Sequence, residues 1–281
     1  MPKVQKTIEL QSTEYTAGIS LLNRRRLSLI HRSARGPFTV GEAAKILDLD
    51  PTSTAKLLAH WHTQGWLLRI RRGLYLPVPL GVSSPSGWVA DPWTVIARAF
   101  TQCYIGGWSA CEHWGFTEQL FRAVLVFTKK PVRPRRGEIQ GTPFVAKVVS
   151  APRFFGTRRI WREDVPIEVS DPTRTLVDIL DDPSLGGGVR HVAQVVSAYF
   201  RSEHRNDTQL IEYALRLGNQ TVLKRLGFLV ERLEIEAPEV IGKCLANLSA
   251  GYSRLDPKGP DKGRFLRRWR LLVNVNIPRT R

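Results

Sequence analysis

Between residues 36 and 77 the apolar positions change their period twice. Val40, Ala43, Ala44, Ile46 and Leu47 gather on one side of a short helix over 40–47. Asp48-Leu49-Asp50 breaks that pattern. Asp50 caps a second helix with its carboxylate, and Pro51 suits the first helical position, where no amide donor is needed. Ala55, Leu58 and Trp61 predict the buried stripe of this second helix, and Gly65 its stop. The period then shortens. Residues 66–71 and 73–76 read as two strands joined at the tight-turn pair Arg72-Gly73. Upstream, residues 17–33 read as a helix, with Ile19, Leu22, Leu29 and Ile30 as its apolar stripe and Arg24-Arg25-Arg26 as a basic patch. Three helices followed by a hairpin predict a winged helix-turn-helix.

A turn-rich, uncharged stretch at 81–87 predicts a linker over 81–90. A second pattern starts at Asp91-Pro92. It predicts a helix over 93–100, a short strand or turn at 104–107, a helix over 109–114 and a strand over 123–128. A basic, proline-broken loop follows at 129–136, then strands within 142–149 and 160–169. Helices over 172–180, capped by Asp171, then 189–200, 207–217 and 221–233 complete the pattern. The expected fold class is α+β: an N-terminal winged helix-turn-helix, then a mixed α+β domain with a small sheet and C-terminal helices. The expected organisation is a DNA-binding domain at 1–80, a linker at 81–90, an α+β domain at 91–239 and a basic segment at 240–281.

Charge gives the first module a partner. The formal net charge is +17. Residues 1–80 hold 12 basic and 5 acidic residues, 81–239 hold 20 and 18, and 240–281 hold 10 and 2. Both ends are therefore basic and the middle nearly neutral, which points to a polyanion, most simply double-stranded DNA. The helix from Pro51 is the expected recognition helix. Thr52, Ser53, Lys56 and His60 lie off its buried stripe, and its N-terminal amides and dipole favour anions. The hairpin adds Arg69, Arg71 and Arg72 for phosphate or minor-groove contact. At the other end, Arg264, Arg267, Arg268 and Arg270 predict an arginine-rich surface, anchored by Trp269 and Leu272, that extends the DNA footprint or grips an acidic partner.

Other classes of function find little support. No apolar run reaches 18 residues, and the first twenty residues lack the apolar core of a signal peptide, so a soluble cytoplasmic protein without a membrane partner is expected. Cys103, Cys111 and Cys244 have no metal-type spacing, so neither a disulfide scaffold nor a zinc site is expected. There is no GxxxxGK[ST] phosphate loop and no kinase signature. Gly106-Gly107-Trp108-Ser109 has the look of a nucleotidyltransferase turn, but no paired carboxylates follow it to hold magnesium. Gly186-Gly187-Gly188 reads as a plain turn, and Asp178, Asp181 and Asp182 as solvated or capping carboxylates. Glu112 and His113 point to different helix faces. A buried, hydrogen-bonded His113 and an arginine-paired Glu112 are expected there. No enzyme, cofactor or metal is therefore expected.

The order of motifs resembles the AbiEi family, the antitoxin and transcriptional regulator of AbiE-type toxin–antitoxin systems. The residues that carry the resemblance are Arg72-Gly73-Leu74-Tyr75, the run from Ser109 to Thr117 (SACEHWGFT), and the run from Asp171 to Asp178 (DPTRTLVD). It spans about residues 20–235 and leaves 240–281 unmatched. It implies a repressor that binds repeats upstream of its own operon and neutralises a nucleotidyltransferase-like toxin. The competing expectation is an enzyme that modifies the toxin, with the winged domain as its targeting arm.

Overall fold

A computed structural model describes residues 20–34, 36–79, 90–162 and 164–278. The expected helix start at 17–19, with Ile19, and the linker motif at 81–87 lie outside the described residues. The chain divides into two compact units, residues 1–89 and 90–281.

The first unit opens with α1 (Leu21–Ser33), whose Ser20 side chain accepts the Asn23 amide. Strand β1 (Phe38–Thr39) leads directly into α2 (Val40–Leu47). Here Thr39 and Glu42 close a reciprocal capping box, which satisfies amides that the first turn leaves without helical partners. Asp48 ends α2 in the left-handed region, at φ 52°. Two residues later Asp50 caps α3 (Pro51–Thr63). Strands β2 (Leu67–Arg71) and β3 (Leu74–Pro77) follow, turned at Arg72-Gly73 with Gly73 at φ 78°. The sheet order is β1-β3-β2, antiparallel throughout. A bulge between Arg69 and Arg71 lets Ile70 turn inward while Arg71 faces solvent.

Leu27, Ile30, Phe38, Ala43, Leu47, Leu58, Trp61, Leu67 and Tyr75 make the core. Two expected phases need correcting. In α1 the inward residues are Leu27 and Ile30, whereas Leu22 and Leu29 are exposed. In α3 Thr54 is buried and Ala55 only partly so, because the Thr54 hydroxyl bonds back to the Asp50 carbonyl at 2.8 Å and no longer needs water. Trp61 is fully buried, yet its Nε1 has no hydrogen-bond partner among the described residues. Trp61→Ala is therefore expected to cost about 3–5 kcal/mol. Trp61→Phe should cost much less, since it keeps most of the ring and removes an unsatisfied donor. Denaturant melts of the two variants check the ranking. Equal losses would put the stabilisation in the indole nitrogen rather than in packing.

In the second unit, a six-stranded mixed sheet has the order β6-β7-β5-β4-β9-β8. Its strands are β4 (Cys103–Ile105), β5 (Val124–Thr128), β6 (Arg136–Ile139), β7 (Thr142–Val148), β8 (Thr157–Arg162) and β9 (Val165–Ser170). β5 and β7 are parallel, as are β4 and β9; the other pairs are antiparallel. β5 is buried on both faces. Val124 and Val126 join one apolar layer with Ile96 of α4 (Pro92–Ala99). Leu125 and Phe127 join another with Tyr104 and with Trp108 of α5 (Gly107–His113). This explains why AVLVFT shows no alternation. β6 starts at the last residue of the expected loop and runs through a stretch given no element: it is a short edge strand with Arg136, Gly137 and Glu138 exposed, so it carries no apolar signal.

Helices α6 (Pro172–Asp181), α7 (Val189–Arg201), α8 (Asp207–Leu217), α9 (Thr221–Arg232) and α10 (Pro238–Ala246) build a helical core beside the sheet. Residues 240–281 do not stand apart from it. Val240, Cys244, Leu255, Trp269, Leu271 and Ile277 are buried in that core. The three-stranded sheet of β10 (Ser253–Arg254), β11 (Arg264–Leu266) and β12 (Leu271–Val273) carries the end of the described chain. The arginine run is thus neither helix nor single strand, but β11, a turn and the approach to β12. Arg268 is paired with Glu231 at 2.8 Å, and Arg270 donates to the Leu248 carbonyl. Arg264, Arg267 and Arg268 are exposed and Arg270 is half-buried, while Trp269, the expected anchor, turns inward among them.

Candidate nucleic-acid interface

α3 presents Thr52, Ser53, Lys56 and His60 to solvent and turns Thr54, Leu58 and Trp61 inward. On the β2–β3 hairpin, Arg71 and Arg72 are exposed and Arg69 is half-buried, opposite Tyr75. All seven expected site residues therefore lie on two adjoining elements of one unit. α1 adds exposed Arg24, Arg25 and Arg32, and α2 adds exposed Lys45. Lys45 was legible as the outward residue beside Ala44.

One detail changes the chemistry of the first turn of α3. The Asp50 carboxylate accepts from the Thr52 and Ser53 amides, each at 2.9 Å. The amides expected to meet a phosphate already hold an anion, so Thr52 contributes to any ligand through its hydroxyl alone. A hydrogen bond from the Ser53 side chain, with the amides behind it, holds the Asp50 carboxyl below the ordinary carboxylate range. The folded pKa is depressed, so the stabilisation by this cap is present above the unfolded value and is lost as pH falls through the folded one. Asp50→Ala is expected to melt lower than wild type at pH 6. It should also lose less stability than wild type below about pH 3.9. A pH series of thermal melts checks this, and parallel curves for the two proteins would refute it.

A comparison with known families bears on this unit. Residues 25–78 match the family of AbiEi antitoxins, described as transcriptional regulators. The match begins inside α1, ends just past β3, and contains all seven expected site residues; Arg24 lies one position before it. Its helix order and sheet are compatible with a winged helix-turn-helix. No curated protein matches the chain.

Outside the AbiEi segment, the motifs at Ser109–Thr117 and Asp171–Asp178 fall in the second unit. Glu112 is exposed and has no ion-pair partner among the described residues. The expected arginine pairing is thus not formed among the described residues; Arg158 and Arg162 lie over the rings of Trp114 and Trp93. His113 is half-buried against those same two rings, without a hydrogen bond among the described residues, and burial lowers its pKa. The Ser109 hydroxyl is buried and accepts the Leu125 amide, which occupies it structurally. Gly187 and Gly188 both have positive φ, as a turn requires. The aspartate cluster departs most from expectation. Asp178 is fully buried against Arg174, with the Tyr104 hydroxyl donating to its other oxygen at 3.0 Å. Tyr104 lies about seventy positions upstream in sequence, so only the i, i+4 spacing of Arg174 and Asp178 hinted at a pair. Among the described residues, no helix is long and apolar enough to cross a membrane.

Proposed function

We propose that this chain is a DNA-binding antitoxin that represses its own operon. In this reading the first unit is a winged helix-turn-helix. α3 enters the major groove, with Thr52, Ser53 and His60 near base edges and Lys56 on a phosphate, and the hairpin lays Arg69, Arg71 and Arg72 along the backbone. The single observation that carries the reading is the coincidence of this basic, outward face with the AbiEi-matched segment. The partners are double-stranded DNA upstream of its own gene and a nucleotidyltransferase-like toxin, and the protein works in the cytoplasm without enzymatic activity of its own. The test is a gel shift with the upstream DNA over a salt series. The expected result is a retarded band that outcompetes unrelated duplex and weakens steeply with salt. Equal affinity for unrelated duplex would refute operator recognition. Co-expression with the adjacent gene product tests antitoxicity separately, since a growth defect that this chain leaves unrelieved would refute that half alone.

A further inference from the structure

A cavity of about 240 Å³ opens in the second unit between β7, α6 and α8. Its charged wall is Lys147, Arg153, Arg174, Asp178 and Asp181, and Phe127 contributes an apolar side. The carboxylates are already satisfied. Asp178 accepts from Arg174 on one oxygen and from Tyr104 on the other. Asp181 accepts from Asn219 at 2.6 Å. Neighbouring Asp182 accepts from Lys147 and from Ser184.

The donors are not satisfied. Arg174 uses Nε and Nη2 on Asp178 and Tyr104, but its Nη1 is buried without an acceptor among the described residues, on a side chain 1% exposed. Arg153 reaches Asp181 only at 3.8 Å, beyond a hydrogen bond. Lys147 has three N–H donors and one acceptor, Asp182. Lys147 and Arg153 thus bring spare donors to the half-exposed rim, above Arg174, whose Nη1 is enclosed in the wall. A buried guanidinium nitrogen without a partner is costly, and a single water occupies only about 30 Å³ of such a space. A phosphate group has more acceptor oxygens than a carboxylate, and they spread tetrahedrally toward donors from different places in the chain.

We propose that this cavity is a binding site for a compact oxyanion, the phosphate group of a small ligand. Arg174 forms its floor, and Lys147 and Arg153 close on the ligand from the half-exposed rim. The site is separate from the candidate DNA face and does not depend on it.

The test is thermal unfolding of the full chain in inorganic phosphate against chloride at equal ionic strength. Phosphate should raise the melting temperature in a saturating manner. Arg153→Gln and Lys147→Gln should each weaken the apparent phosphate affinity about tenfold, the loss of one charge-assisted hydrogen bond. The Arg71→Ala/Arg72→Ala protein should respond as wild type does. A parallel series with a nucleoside monophosphate separates the two sources: tighter binding than inorganic phosphate assigns the group to a nucleotide, weaker binding to free phosphate. Melts in chloride verify folding. Arg153→Gln decides alone if Lys147→Gln unfolds, because Arg153 makes only the long contact. No phosphate-specific shift, an undiminished shift in Arg153→Gln, or a shift abolished by the hairpin substitutions would each overturn the proposal.

Discussion

Replacing Arg71 and Arg72 together with alanine is expected to weaken binding to the upstream DNA roughly thirtyfold near 0.15 M salt, and to flatten the slope of log affinity against log salt by about two units. Both side chains are exposed at the tip of the β2–β3 hairpin, and neither is in an ion pair among the described residues. Each phosphate neutralised releases counterions and contributes nearly one unit of slope; at this salt that is worth about a fivefold gain in affinity. The loss should be the same on operator and unrelated duplex, since backbone contacts carry no sequence information. His60→Ala gives the contrast: it should reduce preference for the operator and leave the slope in place. Titrations at several salt concentrations check both. An unchanged slope in the double variant would remove the hairpin from the interface. A loss confined to the operator would turn it into a base reader.

The second large effect concerns the end of the chain. Trp269 is fully buried, and its Nε1 donates to Glu231. It sits on the bare backbone of Gly227 in α9, where an added methyl group would overlap its ring at Cζ3 and Cη2. Trp269→Ala is expected to cost about 3–5 kcal/mol through the cavity it leaves. Gly227→Ala is expected to destabilise by overpacking, about 1–3 kcal/mol or more. The double variant should lose clearly less than the sum, because the new methyl group then grows into the vacated space. A denaturant-based double-mutant cycle measures this, and strict additivity would show that the two residues do not share one packing site. Truncation at residue 254 is a poor probe of partner binding for the same reason: it removes Leu255, Trp269, Leu271 and Ile277 from the core and should unfold the helices along with the tail.

What could be read from the chain beforehand follows from where its physics is local. Helices announced by Asp-Pro, such as α3, α4 and α6, were legible because a capping carboxylate and a proline at the first position act over three residues. The hairpin was legible from Arg72-Gly73. The phase of α1 was not, since its leucines occur on more than one side and only tertiary contact selects Leu27 over Leu22 and Leu29. β6 and the C-terminal strands were hidden because short, exposed strands carry no hydrophobic period. The outward face of α3 was legible from its spacing, but not the occupation of the Thr52 and Ser53 amides by Asp50. The cavity around Arg174 was invisible, because its walls come from β7, α6 and α8, brought together only by the fold.

The burial of Ile277 has a consequence for the life of each molecule. The first unit holds all its core residues before Pro79, whereas the second cannot complete its helical core until Trp269, Leu271 and Ile277 have been made. The 200 residues that separate Pro77 from Ile277 take roughly 10–40 s to synthesise. For that interval a nascent chain carries a finished basic unit and an unfinished partner. If the two halves work as regulator and antitoxin, a chain still on the ribosome is competent to find DNA before it is competent to meet its toxin.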